Sequence, residues 1–471
     1  MESTTRFRRR QWLKMALSGG IYGLLSNQFF SACGGSSPVD EADHEGENDL
    51  RGQKIIVVGA GVAGLSAAQK LTTWGAEVVI VEARDRIGGR LWTDRSLGAP
   101  FEIGAGWIHG PENNPVSELA AASATMPLVT DDDNLVVYDR NGNILPDEII
   151  DPLDKILESL LDEVDEWVNA ENDRSLASAI DAVNTGALND ELILWALTTF
   201  TEFDTGGAIE DLSAAYFNAD SAFRGADVIL PAGFDAILEP LAANLDIRLG
   251  HVVEKISYDN SGIQITTSRG EFAGNFAVVT LPLGVLKQQV VAFDPELPTS
   301  FRNRVTKIPM GNVTKVALKF DEAFWDPAVQ YFGYLSEIKG KWPYFLNYRA
   351  FADANILVAL SFGAYPAEVE RRPDAEIRAE VMDILRTMFG ANAPEPLQCL
   401  VTRWSADPYA YGAYSFTGTG VEPEDFDNLA GPVGERLYFA GEHATFAYHG
   451  TVHGAQLSGI AAAKAIGDQA G

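Results

Sequence analysis

Near its end the chain carries the stretch GEHATFAYHGTVHGAQLSG, Gly441 to Gly459, with His443, His449 and His453 close to the acid Glu442. Imidazoles and a carboxylate at such short range are the groups that ligate a metal ion or supply the base of a hydrolase. Near the beginning, KIIVVGAGVAGLSAAQKLTTWGAEVVIVE sets Gly59, Gly61 and Gly64 in the pattern G-x-G-x-x-G, with Glu82 closing the next apolar run. The first two glycines let backbone turn tightly and approach a pyrophosphate, the third lets a helix pack close to its strand, and the acid is placed to hold a ribose diol. What the first site binds decides how the second is read.

The elements around the glycines agree with a bound dinucleotide. Ile55 to Val58 is an unbroken apolar run, as in a strand buried on both faces of a parallel sheet. Residues 63–73 have a helical pattern, and EVVIVE is a second strand ending at Glu82. The helix N-terminus presents amides and a positive dipole end to a phosphate.

After Glu82 the pattern continues through Arg84, Gly89 and Arg90 as EARDRIGGR, and then EIGAGWIHG spans Glu102 to Gly110. Here the sequence resembles the flavin amine oxidases, the family of monoamine oxidases, polyamine oxidases and lysine-specific histone demethylases; the WIHG form is most similar to polyamine oxidases. The resemblance extends along almost the whole chain after the first 50 residues or so. It implies an α/β fold, in which a Rossmann-like FAD-binding domain with a doubly wound parallel sheet is interleaved with an α+β substrate-binding domain. It implies that Arg84, Gly89 and Arg90 meet the FAD pyrophosphate and ribityl chain, that Gly104, Ala105, Trp107 and Ile108 line the flavin, and that the Val253 backbone meets the adenine. Trp404 and Tyr409 of RWSADPYAYGAYSF would pack along the flavin, Gly441 and Glu442 would contact the phosphate and ribityl chain, and the Val452 amide would face the flavin N1 and O2 edge.

The same resemblance assigns the chemistry. Lys315 in MGNVTKVALKFDEAFWD matches the lysine held near flavin N5 through water, where a buried amine with a depressed pKa passes protons. Tyr414 would be one wall of an aromatic slot, and Thr451 stands at the other wall, where monoamine oxidases have tyrosine; the small residue favours a long amine. His109 would face the substrate, and Glu202, with Asp204, would hold a distal ammonium. Ala413 replaces the cysteine through which monoamine oxidases attach their flavin, so FAD is expected to be non-covalent. The three histidines are then not read as a metal cluster, since Glu442 is assigned to FAD and no cysteine lies near them; no metal is expected, and no G-x-S-x-G elbow supports a hydrolase. The implied reaction is oxidation of polyamines of the spermidine or spermine class. Hydride passes to N5, the resulting imine hydrolyses to aldehyde plus amine, and O2 becomes H2O2. Two alternatives stay open: an L-amino-acid oxidase on the same scaffold, with Arg224 or Arg349 gripping the carboxylate, and a non-catalytic, flavin-bearing polyamine-binding protein.

Composition sets the remaining limits. A formal charge of −31 over 471 residues argues against nucleic acid as a partner, which needs a basic surface. Two cysteines, Cys33 and Cys399, are too few for a disulfide framework. The N-terminus, RFRRRQWLKMALSGGIYGLLSNQFFSAC, resembles a twin-arginine export signal at Arg9-Arg10 that ends in a lipoprotein box at Cys33. The expected partners are therefore a small amine, O2 and the twin-arginine export machinery, with membrane anchoring through a lipid on Cys33; the expected location is periplasmic or membrane-anchored. Residues 1–33 read as signal and 34–52 as a disordered tether. Residues 53–114, 221–299 and 396–471 read as the FAD-binding domain, and 115–220 and 300–395 as the substrate-binding domain.

Overall fold

A computed structural model describes residues 48–470; the twin-arginine stretch, Cys33 and most of the tether lie outside the described residues. Strand β1 (Lys54–Val58) leads through the glycine loop into helix α1 (Val62–Thr73), and β2 (Glu77–Val81) follows. These strands are central to a five-stranded parallel sheet, in the order Leu437–Phe439, Phe276–Val279, β1, β2, Asp246–Arg248. Its inner strands read as apolar runs because both faces are covered, whereas the edge strand Asp246–Arg248 is flanked by exposed charges. Ile55, Val57, Ile80, Phe276 and Val278 pack beneath α1 and the C-terminal helix α2 (Val452–Ala470), whereas Ile56, Val58, Val81, Ala277 and Val279 pack on the other side. There they meet a meander of Val253–Asp259, Gly262–Thr267 and Gly270–Gly274.

Helix α2 lies against α1 closely enough that a Cβ at Gly459 would overlap the Ala63 carbonyl. This approach brings the first turn of α2 beside the glycine loop. Two distant parts of the chain thereby share one cleft at the carboxyl ends of the parallel strands, where such sheets place their ligands.

The second layer is a six-stranded sheet in the order Gln398–Val401, β3 (Thr314–Lys319), Ile356–Ser361, Tyr344–Asn347, Tyr331–Tyr334, Leu135–Tyr138. It is antiparallel except for its last pair. Two details differ from the domain limits read in the sequence. Gln398–Val401, placed in the FAD-binding part, is hydrogen-bonded to β3 as an edge of this sheet. Thr299–Lys307 packs Phe301 and Val305 onto the other core instead. Both segments lie at crossings between the two parts, where local pattern does not reveal the partner. The helix expected in DPLDKILESLLDEVDEWV spans Leu153–Trp167, with Leu153, Leu157, Leu160, Leu161 and Val164 buried. Ile156 and Trp167 are exposed, because they fall outside the stripe the other apolar residues form.

Candidate active site

One cavity of about 550 Å³ runs from the glycine loop to the substrate side. At one end, α1 begins at Gly61 with no side chain capping its first turn, so the amides there remain for a ligand. A Cβ at Gly61 would meet no protein atom, whereas one at Gly64 would overlap the Gly59 carbonyl. The loop therefore stands open toward the cavity and closed toward the helix, as a cradle for a pyrophosphate must. Glu82 is buried on the same wall, its Oε2 accepting from the Ala60 amide at 2.8 Å and its Oε1 from the Arg84 amide at 2.8 Å. These bonds fix the carboxylate beside the loop. Val253 lies on the wall close by.

Two arginines on the wall are anchored by acids. Arg84 makes a two-pronged pair with Asp407, at 2.9 and 2.8 Å, and its guanidinium lies 5.2 Å from the Tyr409 ring centre. Arg90 donates to Glu442 Oε1 at 2.8 Å and to the Ala413 carbonyl at 2.9 Å. Glu442 also accepts from the Ser415 hydroxyl at 2.5 Å and the Gly450 amide at 3.0 Å. Burial alone would raise the pKa of Glu442; Arg90, with His443 and the Ser415 hydrogen bond, lowers it to about 2. Gly89, Gly104, Ala105, Trp107, Ile108, Trp404, Gly441 and Val452 share the cavity wall. Trp404 is held by its indole N–H, which donates to the Ile103 carbonyl at 3.1 Å.

Lys315 projects from β3 onto this wall as a buried amine. Its Nζ donates to the carbonyls of Glu102 at 2.9 Å and Gly104 at 2.6 Å. Burial pushes its pKa below the usual lysine value, opposed by the charge of Glu102, and burial pushes Glu102 above the usual carboxylate range. The Glu102 carboxylate accepts from the Thr93 hydroxyl and the Phe234 amide, each at 2.8 Å. Lys315 and Glu102 are thus two buried titratable groups whose charges oppose the effect of burial on each other.

An open glycine cradle, a buried acid beside it, paired arginines and a buried lysine fit FAD as the ligand. The sequence comparisons bear on the same point: residues 62–467 match the family of flavin containing amine oxidoreductases. The chain belongs to that family. Its cofactor is FAD, and the protein is a flavin-dependent amine oxidase. It is 33% identical over 429 residues to polyamine oxidase 4 of Oryza sativa subsp. japonica, covering 87% of each chain. It is 32% identical to lysine-specific histone demethylase 1 homolog 2 of Arabidopsis thaliana, over 88% of this chain and 58% of that one. A solved putrescine oxidase bound to putrescine superposes with a TM-score of 0.72 at 20% identity, covering 88% of this chain and 98% of the other, which supports the same fold.

On the substrate side of this amine oxidase, His109, Tyr414 and Thr451 line the cavity. His109 Nδ1 lies 2.7 Å from Asp227 Oδ2, which leaves Nε2 as the ring nitrogen outside that bond. Tyr414 is fixed by its hydroxyl, donating to the Phe203 carbonyl at 2.5 Å. The Thr451 hydroxyl is engaged at the start of α2: it donates to the Tyr448 carbonyl at 2.8 Å and accepts from the Gly454 amide at 2.9 Å. Thr451 thus shapes the slot by its size.

Glu202 is a correction. It is fully buried away from the cavity, accepting from the Ile209 amide at 2.8 Å and from Lys339 Nζ at 2.7 Å. The segment Leu197–Glu202 is a π-helical turn, and side chains fan around its axis. Phe200, Thr201, Phe203 and Asp204 reach the wall, so Asp204 is the acid of this segment that faces the cavity. The three histidines of the C-terminal stretch diverge. His443 is buried in the core, His449 stacks on Phe446 with centroids 5.6 Å apart, and His453 meets Phe223 edge-on at 5.1 Å. Among residues not singled out in the sequence, Glu102, Asp227 and Asp407 hold Lys315, His109 and Arg84 in place. Glu102 sits inside a recognised motif; Asp227 and Asp407 lie far along the chain from their partners and carry no local signal.

Proposed function

We propose that this enzyme oxidises polyamines of the spermidine or spermine class. The observation that carries the reading is the pair of acids on the cavity wall: Asp204 and Asp220 share it with Lys315 and Tyr414, among aromatic residues Phe200, Phe203 and Phe223. Spaced carboxylates suit a chain of ammonium groups, and the apolar stretches suit the methylenes between them. Bound FAD supplies a two-electron acceptor for the hydride of the amine α-carbon. Tyr414 and Thr451 orient the amine, His109 positioned by Asp227 hydrogen-bonds it, and Lys315 holds or releases a proton at Nζ. The first turn of α2 directs its amides at the far edge of the site, where they favour developing negative charge.

An amino-acid oxidase would need a cation to grip a carboxylate. Arg224 and Arg349 do not line the cavity, and Arg349 is paired with Asp353. Non-covalent FAD agrees with Ala413 on the wall and with the absence of cysteine from it among the described residues. Export through the twin-arginine signal and lipid attachment at Cys33 complete the proposal. Cell fractionation of the wild type and of Cys33→Ser tests that part: retention in the membrane fraction only with Cys33 supports anchoring, and identical fractionation overturns it.

The substrate reading is tested by mixing holoenzyme anaerobically with spermidine, spermine, a simple monoamine and L-amino acids while following flavin absorbance. Rapid bleaching by the polyamines is expected. Bleaching by amino acids alone would overturn the reading.

A further inference from the structure

We propose that a second, smaller cavity behind Lys315 is a holding site for dioxygen on its way to the reduced cofactor; the proposal rests on the reading of the chain as an oxygen-consuming amine oxidase. This chamber, of about 30 Å³, meets the main cavity at Gly106, Trp107 and Lys315, which line both. Its inner lining is Phe101, Leu230, Leu346, Val358 and Leu360, all buried. Its outer rim includes Pro100, Pro231, Phe351 and Ala352, all half-buried, so it approaches the surface on its own side of the fold.

Three features suit a small apolar gas. The chamber exceeds the space one water needs, about 10–15 Å³ on this measure, yet most of its lining is aliphatic or aromatic. The Glu102 carboxylate is held by Thr93 and the Phe234 amide, the Lys315 Nζ by two carbonyls, and the Tyr348 hydroxyl accepts from the Glu102 amide at 3.3 Å. Water gains little from the hydrocarbon part of this lining, whereas an apolar diatomic loses nothing against it. The third feature is the partition. The residues shared by both cavities are Gly106, Trp107 and Lys315, with Nζ 5.6 Å from the indole centre. Gly106 contributes no side chain, and a Cβ there would press on Glu102 Cβ and Cγ at 3.1 and 3.2 Å. The wall is therefore thin beside a cation that favours negative charge on its far side. Dioxygen crossing it takes two electrons and two protons from the reduced cofactor and its surroundings, leaving oxidised cofactor and hydrogen peroxide. A separate entry lets oxygen arrive while amine or product fills the main cavity.

The test has two arms. Crystals of the holoenzyme are pressurised with xenon, an apolar probe of similar size; a xenon atom between Leu230 and Val358 is expected, and an empty chamber with xenon bound elsewhere overturns the proposal. Separately, holoenzyme is photoreduced without any amine and mixed with oxygenated buffer. Ala352→Phe, and the smaller Ala352→Leu in case the first variant folds poorly, should lower the second-order reoxidation rate about tenfold, equivalent to about 1.4 kcal/mol in the barrier. Anaerobic reduction by amine should keep the wild-type rate. Unchanged reoxidation in a variant with the wild-type flavin spectrum overturns the proposal. Failure of every amine to bleach the flavin would count against the substrate reading alone, because photoreduction bypasses it.

Discussion

Lys315 and His443 are both buried bases, yet burial does different work in each. Burial lowers the pKa of Lys315, while the Glu102 charge opposes that shift and two carbonyls accept from its ammonium. Lys315→Met keeps the length of the side chain and removes the proton. Anaerobic flavin reduction by amine should slow by roughly 10²-fold, and Glu102, deprived of its cation, should titrate at still higher pH. Stopped-flow reduction across pH checks both; an unchanged rate would remove Lys315 from the chemistry. His443 has an unpartnered Nδ1 and a pKa lowered to about 4, first by burial, with Glu442 opposing and Arg90 adding. Below the unperturbed value of 6.5 the unfolded chain binds a proton that the folded chain refuses. Stability should therefore fall by about 1.4 kcal/mol per pH unit as pH drops from 6.5 toward 4. Glu442, with its depressed pKa, contributes a loss in the same direction at lower pH, between 4.5 and about 2. In His443→Asn, denaturant midpoints measured through the upper window should decline less steeply than in the wild type.

At the scale of elements, the site depends on one helix crossing. The first turn of α2 reaches the cavity because α2 lies against α1, and that contact is set by Gly459 over the Ala63 carbonyl. Gly459→Val forces the helices apart. It should cost roughly 1–3 kcal/mol of stability and lower the flavin content of the purified protein, read from thermal melts and the ratio of flavin to protein absorbance. Normal flavin loading with an unchanged melt would show that the crossing tolerates bulk. The sequence pattern made β1, α1 and β2 legible because their apolar residues are contiguous or periodic within a few turns. The pairing of Gln398–Val401 with β3 was not, since an isolated edge strand carries no record of which sheet it joins.

For the molecule as a whole, the net charge of −31 matters to encounter. A cationic substrate is drawn toward a negative surface, and salt screens that attraction over a Debye length of about 8 Å at physiological ionic strength. The kcat/KM for spermine should fall as salt is added, more steeply than for a monoamine of lower charge. Parallel slopes for the two would mean that the overall field plays no part in capture.

What the sequence determined by itself are the parts whose function is local: the glycine cradle, the acid after β2, and the motif-borne placement of Lys315, Tyr414 and Thr451. Short-range geometry fixes the cradle and the acid, because backbone turns and strand–helix junctions need particular residue types at particular spacings, whereas Lys315, Tyr414 and Thr451 were legible only through the resemblance of their motifs to the family. What only the tertiary structure decided are the partnerships. It set Asp227 against His109, Asp407 against Arg84 and Glu102 beside Lys315, and it turned Glu202 toward Lys339 while leaving Asp204 on the cavity wall. The acids and bases that meet across a core are joined by packing between distant segments, and no spacing along the chain encodes which face of a helical turn the cavity will choose.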